Sequence, residues 1–169
     1  MIPFDTARLH LRPLAADDAA LYVALYTDPA VMAHVAAPMT GEAARRSFEK
    51  ACARNRESPP RWQRWAIRAR GSGEAVGLCG LFRDADREDS AEIGVMLLPA
   101  WQGRGVAAEV IAAFAARAFD PAAPWPLARL WARHAAGNTP MGRVLARLGF
   151  RPIPSDIDDE RCWELSRPG

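Results

Sequence analysis

Apolar and polar positions alternate over residues 8–13, with Leu9 and Leu11 set against Arg8, His10 and Arg12. This two-residue period predicts a half-buried strand. Asp17 or Asp18 then stands where a helix needs a cap. The helix is predicted to run through Tyr26, with Leu21, Ala24 and Leu25 on one face and a stop at Asp28-Pro29. A second helix is predicted over residues 40–56, with Ala44, Phe48, Ala51 and Cys52 as its apolar stripe and Pro59-Pro60 ending it. Three strand-like segments follow at residues 62–69, 75–82 and 91–98. Gly71-Ser72-Gly73 joins the first pair and a charged loop over residues 83–90 joins the second, and connections this short predict an antiparallel meander. Helical spacing returns over residues 106–119, where Val106, Val110, Ile111, Phe114 and Ala118 share a face, and Pro121, Pro124 and Pro126 prevent continuation. A strand at 128–133, a helix at 139–148 (Met141, Val144, Leu145 and Leu148) closed by Gly149, and a strand at 162–165 come last, with one more strand near 150–153.

The resulting order, β-α-α-β-β-β-α-β-α-β, predicts a mixed α/β domain around a central sheet. Strand, helix and strand around residues 106–119 make a right-handed parallel crossover inside an otherwise antiparallel sheet. No repeat, low-complexity tract or long linker divides the chain, so residues 1–169 are expected to form one domain.

Composition narrows the function classes. Half of the residues are hydrophobic and a quarter are charged, which excludes wholesale disorder. The net charge is only +2, no balance for binding a polyanion, so nucleic acid is not the expected partner. No apolar run approaches the roughly 20 residues of a membrane helix. Met1 to Asp5 leads straight into patterned sequence, which sets the expectation of no signal peptide and a cytoplasmic location. Cys52, Cys79 and Cys162 are odd in number, far apart and without CxxC spacing, and read as small buried hydrophobes in a reducing compartment. His10, His34 and His134 do not cluster at ligand spacing, so no metal site is expected.

The chemistry concentrates in residues 92–108, EIGVMLLPAWQGRGVAA. A strand ends at Leu98-Pro99, a glycine turn follows, and a helix opens at about Val106. Gly103 and Gly105 let backbone N–H groups approach a ligand, the new helix offers unpaired N–H donors and the positive end of its dipole, and Arg104 adds charge. A phosphate or pyrophosphate is the natural occupant, although the same turn serves as a tight strand-to-helix connection without a ligand. Gly103, Gly105 and Ala108 also satisfy the GxGxxG/A spacing of dinucleotide folds. Pro99 separates strand from glycines, however, antiparallel-looking strands precede the turn, and the next strand ends at Arg133-His134 where a ribose-binding carboxylate belongs. NAD is disfavoured.

Three motifs together resemble a known family. Gln102-Gly103-Arg104-Gly105-Val106-Ala107 is similar to the Q/R-x-x-G-x-G/A signature of the GCN5-related N-acetyltransferases, which grips the pyrophosphate of coenzyme A. Thr6-Ala7-Arg8-Leu9-His10-Leu11-Arg12 resembles the opening strand of the branch containing bacterial ribosomal-protein N-terminal acetyltransferases. Asn138-Thr139-Pro140, followed by Arg143-Val144-Leu145 and Leu148-Gly149-Phe150, is similar to that branch's second cofactor motif. The likeness runs from Thr6 to Leu165. It implies a mostly antiparallel sheet flanked by helices and acetyl-CoA as cosubstrate. It also implies strand contacts to the pantetheine arm from Val95, Met96 and Leu97, an N–H near Met96 or Leu97 for the oxyanion, and a cofactor contact from Asn138, which otherwise reads as a turn residue. Glu92 resembles the glutamate many relatives use as general base, often through water; its other reading is a structural carboxylate at a strand start.

The chain departs from the branch at the leaving group. N-x-x-S places a serine at 141, where this chain has Met141, and its two tyrosines, Tyr22 and Tyr26, lie near the N-terminus rather than after the last helix. Thr139 or water is left to protonate the thiolate. The resemblance implies transfer of an acetyl group by direct attack to a primary amine, a protein N-terminal α-amine before a small-molecule amine. A non-catalytic acyl-CoA-binding module on the same fold is the rival from another class, with Met141 as its support. Monomer and homodimer both stay open.

Two acidic loops complete the reading. Asp84, Asp86, Glu88 and Asp89 fail as a calcium loop, because Asp89 and Val95 stand where Gly and Glu belong. Asp156, Asp158, Asp159 and Glu160 either draw in a cationic acceptor or form a solvated hairpin loop. Trp62, Trp65, Trp101, Trp125, Trp131 and Trp163 are spread over many elements, as core packing or interface anchoring requires.

Overall fold

Eight strands form one sheet in the order β1-β2-β3-β4-β5-β6-β8-β7 in the computed structural model, which describes residues 2–57, 61–124 and 126–168. The strands are β1 (Phe4–Asp5), β2 (Leu9–Pro13), β3 (Trp62–Ala69), β4 (Ala75–Arg83), β5 (Ser90–Leu97), β6 (Arg129–Ala135), β7 (Arg151–Ile153) and β8 (Glu160–Ser166). The helices are α1 (Ala19–Thr27), α2 (Pro29–Met32), α3 (Gly41–Arg54), α4 (Val106–Ala118) and α5 (Thr139–Arg147). Every neighbouring pair is antiparallel except β5 and β6, which α4 joins as the expected parallel crossover. The architecture is thus the mixed, mostly antiparallel α/β sheet that the periodicities predict.

Two apolar layers sandwich the sheet. Trp65 and Ile67 of β3 and Cys79 and Leu81 of β4 pack with Val110, Ile111 and Phe114 of α4 on one side. Ala66 and Leu78 face Tyr22, Leu25 and Phe48 of α1 and α3 on the other. The central strands therefore bury both faces, while β2 keeps the clean alternation of a strand with one wet face.

Several local expectations change. Asp18 does not cap α1: its carboxylate is fully buried and is taken up by Arg12 (2.8 Å), Arg68 (2.5 Å) and the Ala15 N–H (2.9 Å). Ala24 is exposed, and Tyr22 and Tyr26 occupy the buried face of α1 that spacing assigned to it. The α1 sequence is apolar nearly all round, so periodicity alone cannot orient it. Cys79 is buried, but Cys52 and Cys162 are half-buried, and all three are free thiols. A two-residue strand, β1, has too little chain to carry a period and was not predicted; Phe4 pairs there with Leu11. The predicted stop at Pro59-Pro60 and the residue Trp125 lie outside the described residues.

Candidate active site

The parallel pair opens almost as soon as it forms. Ser90, Ala91 and Glu92 pair with Arg129, Leu130 and Trp131, and there the β5–β6 ladder ends, although both strands continue. β6 stays paired to β8 along its whole length, and β5 stays paired to β4 as far as Leu97. The wedge between them leaves one edge of β5 without strand partners beyond Glu92 and opens into a cleft of about 340 Å³.

At the far end of β5 stands the glycine turn. Gly103 and Gly105 have φ of +71° and +74°, so they are required by backbone conformation as well as by any approach of a ligand. Gly105 is the N-cap of α4 and supplies no side-chain cap, leaving the first-turn amides of Val106, Ala107 and Ala108 directed outward without one. The turn is braced from behind. Arg8 donates from Nε to Glu109 (2.7 Å) and from NH1 to the Arg104 carbonyl (3.0 Å), and Thr6 donates its hydroxyl to Glu109 at 2.5 Å. Burial acts to raise the Glu109 pKa, but these bonds from Thr6 and Arg8 hold the carboxyl below its ordinary value. Gln102 turns its amide back onto the Leu97 carbonyl (3.0 Å), tying the turn to β5. The Arg104 guanidinium lies 5.6 Å from the Trp101 ring.

Glu92 sits at the vertex of the wedge with its side chain 21% exposed, accepting a hydrogen bond from Arg133 Nε at 3.1 Å. Burial raises its pKa above the ordinary carboxylate value; the neighbouring Arg133 opposes the rise without cancelling it. Arg133 also donates to Glu160 (3.4 Å), so one guanidinium holds both carboxylates that line the cleft. Asn138 caps α5 through Oδ1, which accepts from the Met141 N–H at 3.3 Å, and it also lines the cleft.

Of the residues singled out from sequence, Glu92, Val95, Met96 and Asn138 come together in the cleft lining. Leu97 is buried in the core, and the stretch from Gln102 to Ala107 stands beyond the cleft, past the end of β5. Met141 lines the cleft, as the motif spacing implied for the residue at that position. Of the second acidic loop only Glu160 reaches the cleft; Asp156, Asp158 and Asp159 are exposed. Sequence reasoning missed Tyr26, Arg64 and Phe82, which also line it. No local signal in the sequence singles them out, because they meet only through strand register. Cys79 lines the cleft as well, but burial pushes its thiol pKa far up, so it is no nucleophile. The His134 ring is held by two bonds: Trp163 donates its indole N–H to Nε2 (3.0 Å), and Nδ1 donates to the Ala135 carbonyl (2.8 Å). Among the described residues no group of three or more His, Cys, Asp or Glu is placed to hold a metal, and no helix is long and apolar enough to cross a membrane.

A wedge between two parallel strands, with an uncapped helix N-terminus after the first and a carboxylate at its vertex, offers an extended, anionic molecule a strand edge and backbone donors beside a basic group. Residues 8–151 match the family described as the acetyltransferase (GNAT) domain. The chain belongs to the GNAT acetyltransferases, and its enzyme class is that of an N-acetyltransferase. Solved structures share the fold. An acetyltransferase from Agrobacterium tumefaciens superposes with a TM-score of 0.80 at 23% identity, over 98% of this chain and 94% of that one. Spermidine N-acetyltransferase from Vibrio cholerae, in complex with CoA and spermine, gives 0.81 at 17% identity, over 96% and 97%. The microcin C7 self-immunity acetyltransferase MccE, in complex with acetyl-CoA and AMP, gives 0.78 at 15% identity, over 95% and 93%. Comparison with curated proteins gave no sequence match.

Proposed function

We propose that this protein transfers the acetyl group of acetyl-CoA to a primary amine by direct attack, with both substrates bound together. One observation carries the reading: the β5 edge, freed of β6 beyond Glu92, leads from the raised-pKa carboxylate to the uncapped amides of α4. The residues fit the cosubstrate. Val106 and Ala107, with Gly103 and Gly105 shaping the turn and Arg104 beside it, offer N–H groups and positive charge to a pyrophosphate. Val95, Met96 and Leu97 offer a strand edge to an amide-bearing arm, and the Asn138 amide faces the same space. Gln102 contributes by holding the turn against β5.

Acetyl-CoA supplies the acetyl group as an activated thioester. Glu92, made more basic than an ordinary carboxylate by its burial, takes the acceptor's proton, directly or through water. The amine so freed attacks, and a β5 N–H near Met96 or Leu97 stabilises the developing oxyanion. Holding both reactants in one wedge supplies a large part of the rate. Cys79, with its thiol kept protonated by burial, argues against a covalent acetyl-enzyme. Met141 occupies the position of the branch's serine, so as the tetrahedral intermediate collapses the departing CoA thiolate takes its proton from water or from Thr139.

The resemblance to the ribosomal-protein N-terminal acetyltransferase branch favours a protein or peptide α-amine as acceptor, with small-molecule amines the alternative and a cytoplasmic setting expected. Met141 is the observation that favours a non-catalytic acyl-CoA-binding module instead. Release of the CoA thiol from acetyl-CoA, followed over a panel of short peptides and small amines, separates these. Turnover with any amine supports the transferase. Tight acetyl-CoA binding with no turnover leaves the binding module.

A further inference from the structure

We propose that the acceptor carries a carboxylate near its reacting amine, and that Arg64 binds that carboxylate. The inference rests on the transferase reading and names the chemistry of its second substrate. Its basis is the floor of the cleft on the α1 side. Arg64 of β3, Gly80 of β4 and Gly94 of β5 lie side by side in register, and the next row holds Trp62, Phe82 and Glu92. Two adjacent strands without side chains leave a trench, and the Phe82 ring fills its base. A Cβ added at Gly80 would stand 2.2 Å from the Phe82 Cζ, and one at Gly94 would stand 4.0 Å from Cε2. The Arg64 guanidinium lies over the same ring, 5.1 Å from its centroid. Its NH1 donates to the Tyr26 hydroxyl at 3.0 Å.

Arg64 is fixed in place but not neutralised. Asn55, just past α3, accepts from the Arg64 N–H and donates to its carbonyl, both at 2.8 Å, completing the strand edge where β2 has ended. The Tyr26 phenol is uncharged, because burial pushes its pKa up to about 12 in spite of the Arg64 charge beside it. The two carboxylates of the cleft, Glu92 and Glu160, are both engaged by Arg133. Among the described residues Arg64 makes no ion pair, so a half-buried guanidinium points at a cleft with only a ring face and a hydroxyl for company. A carboxylate is the planar anion whose two oxygens match that fork.

Position sets the second half of the argument. Arg64 and Glu92 are two strands across and one row along from each other, roughly 12 Å between backbones, and both side chains border the same cleft and reach into the gap. A molecule whose amine meets Glu92 while its carboxylate meets Arg64 therefore needs only a few bonds between the two groups. Trp62, 40% exposed and 5.1 Å from Phe82 between ring centroids, provides an apolar flank for the rest of it. Two acceptors share this chemistry: a free α-amino acid, and a peptide whose first residue is aspartate or glutamate. A polyamine, cationic throughout, meets an uncompensated arginine.

The test uses matched pairs on the intact protein: phenylalanine against phenylalaninamide, the peptide Asp-Ala-amide against Asn-Ala-amide, and spermidine. CoA thiol release gives kcat/KM, and calorimetry with CoA-loaded protein gives acceptor affinity. The carboxylate member of at least one pair is expected to exceed its amide by about tenfold to a hundredfold, with spermidine lower still. The pair that shows the preference identifies the source. Arg64→Gln should bring that ratio close to one, and Arg64→Lys should keep part of it. Ratios near one in the unaltered protein, which need no variant to fold, overturn the proposal, as does a ratio that survives Arg64→Gln. If no amine is acetylated, a carboxylate preference in binding that Arg64→Gln abolishes upholds the carboxylate site while the transferase reading fails. Loss of CoA binding as well overturns both.

Discussion

Past the end of β5, where α4 starts, the candidate binding groups belong to the backbone, whereas in the cleft around Glu92 they belong to side chains drawn from α1, β3, β4, β5, β6 and β8. The first is a contiguous stretch, Gln102 to Ala107, whose shape follows from two positive-φ glycines and a helix start. The second exists only once distant strands are in register. An anion-binding turn needs donors and little else, so a few residues specify it. Proton transfer and acceptor choice need charges balanced against one another, as Arg133 balances Glu92 and Glu160 while Arg64 stays unbalanced. The donor end is accordingly a portable motif, and the acceptor end belongs to this chain.

The sharpest way to break that division is Glu92→Gln, which keeps shape and removes the proposed base. It should lower kcat by about 10²- to 10⁴-fold and leave the acetyl-CoA KM nearly unchanged. The loss should be greatest between the acidic limb and the acceptor amine's own pKa; it should shrink in acid, where the unaltered protein also lacks a deprotonated Glu92, and near the amine's pKa, where the amine deprotonates unaided. A comparable rise in acetyl-CoA KM would mean that the two ends are not separable. At the other end, Gly105→Ala forces a Cβ into φ +74° with no contact closer than 3.7 Å, so its effect is backbone strain alone. The expected outcome is a rise of about tenfold in acetyl-CoA KM, with kcat at saturation preserved. Both numbers come from one set of steady-state curves.

The local structure around these two residues was legible from the chain, and the reason is instructive. Glu92 and Gly105 lie within fourteen consecutive residues whose strand, turn and helix signals are all local. The meander, the crossover and the faces of α3, α4 and α5 were legible for the same reason, because a clean period is a property of neighbours in sequence. Tyr26 and Arg64 were not. Tyr26 lies on a helix apolar on nearly every side, and Arg64 reads as an ordinary wet-face residue of β3. What gives each a role is the glycine pair across the sheet and the end of β2 at Pro13, both facts of register. Asp18 teaches the converse. Its position suited a cap, but two arginines from β2 and β3 outbid the helix for its carboxylate.

Arg133→Gln sharpens the comparison within the acceptor end. Arg133 is the group that holds the Glu92 pKa down against burial, so its removal must raise that pKa further. As the proposed base, Glu92 acts only when deprotonated. The acidic limb of the kcat profile therefore moves to higher pH in the variant, and activity is recovered at alkaline pH. An acidic limb that stays in place would show that another group sets it.

The smallest expected effect is at the brace behind the glycine turn. Arg8→Ala removes the ties to Glu109 and to the Arg104 carbonyl without touching the cleft lining. Arg8 is half-exposed, so solvent already screens the pair and about 0.5–1 kcal/mol of stability is at stake. The turn should loosen enough to raise acetyl-CoA KM by about two- to fivefold, with kcat unchanged. The pH dependence carries a definite sign. Glu109 is held below its ordinary pKa in the folded protein, so the contribution of its partners is complete above the ordinary carboxylate range and disappears as pH falls through the depressed value. Thermal unfolding of the variant and the unaltered protein should therefore differ at neutral pH and converge in acid. A difference that persists in acid would mean that Arg8 works through packing rather than charge, and that the turn is held by the Thr6 and backbone contacts alone.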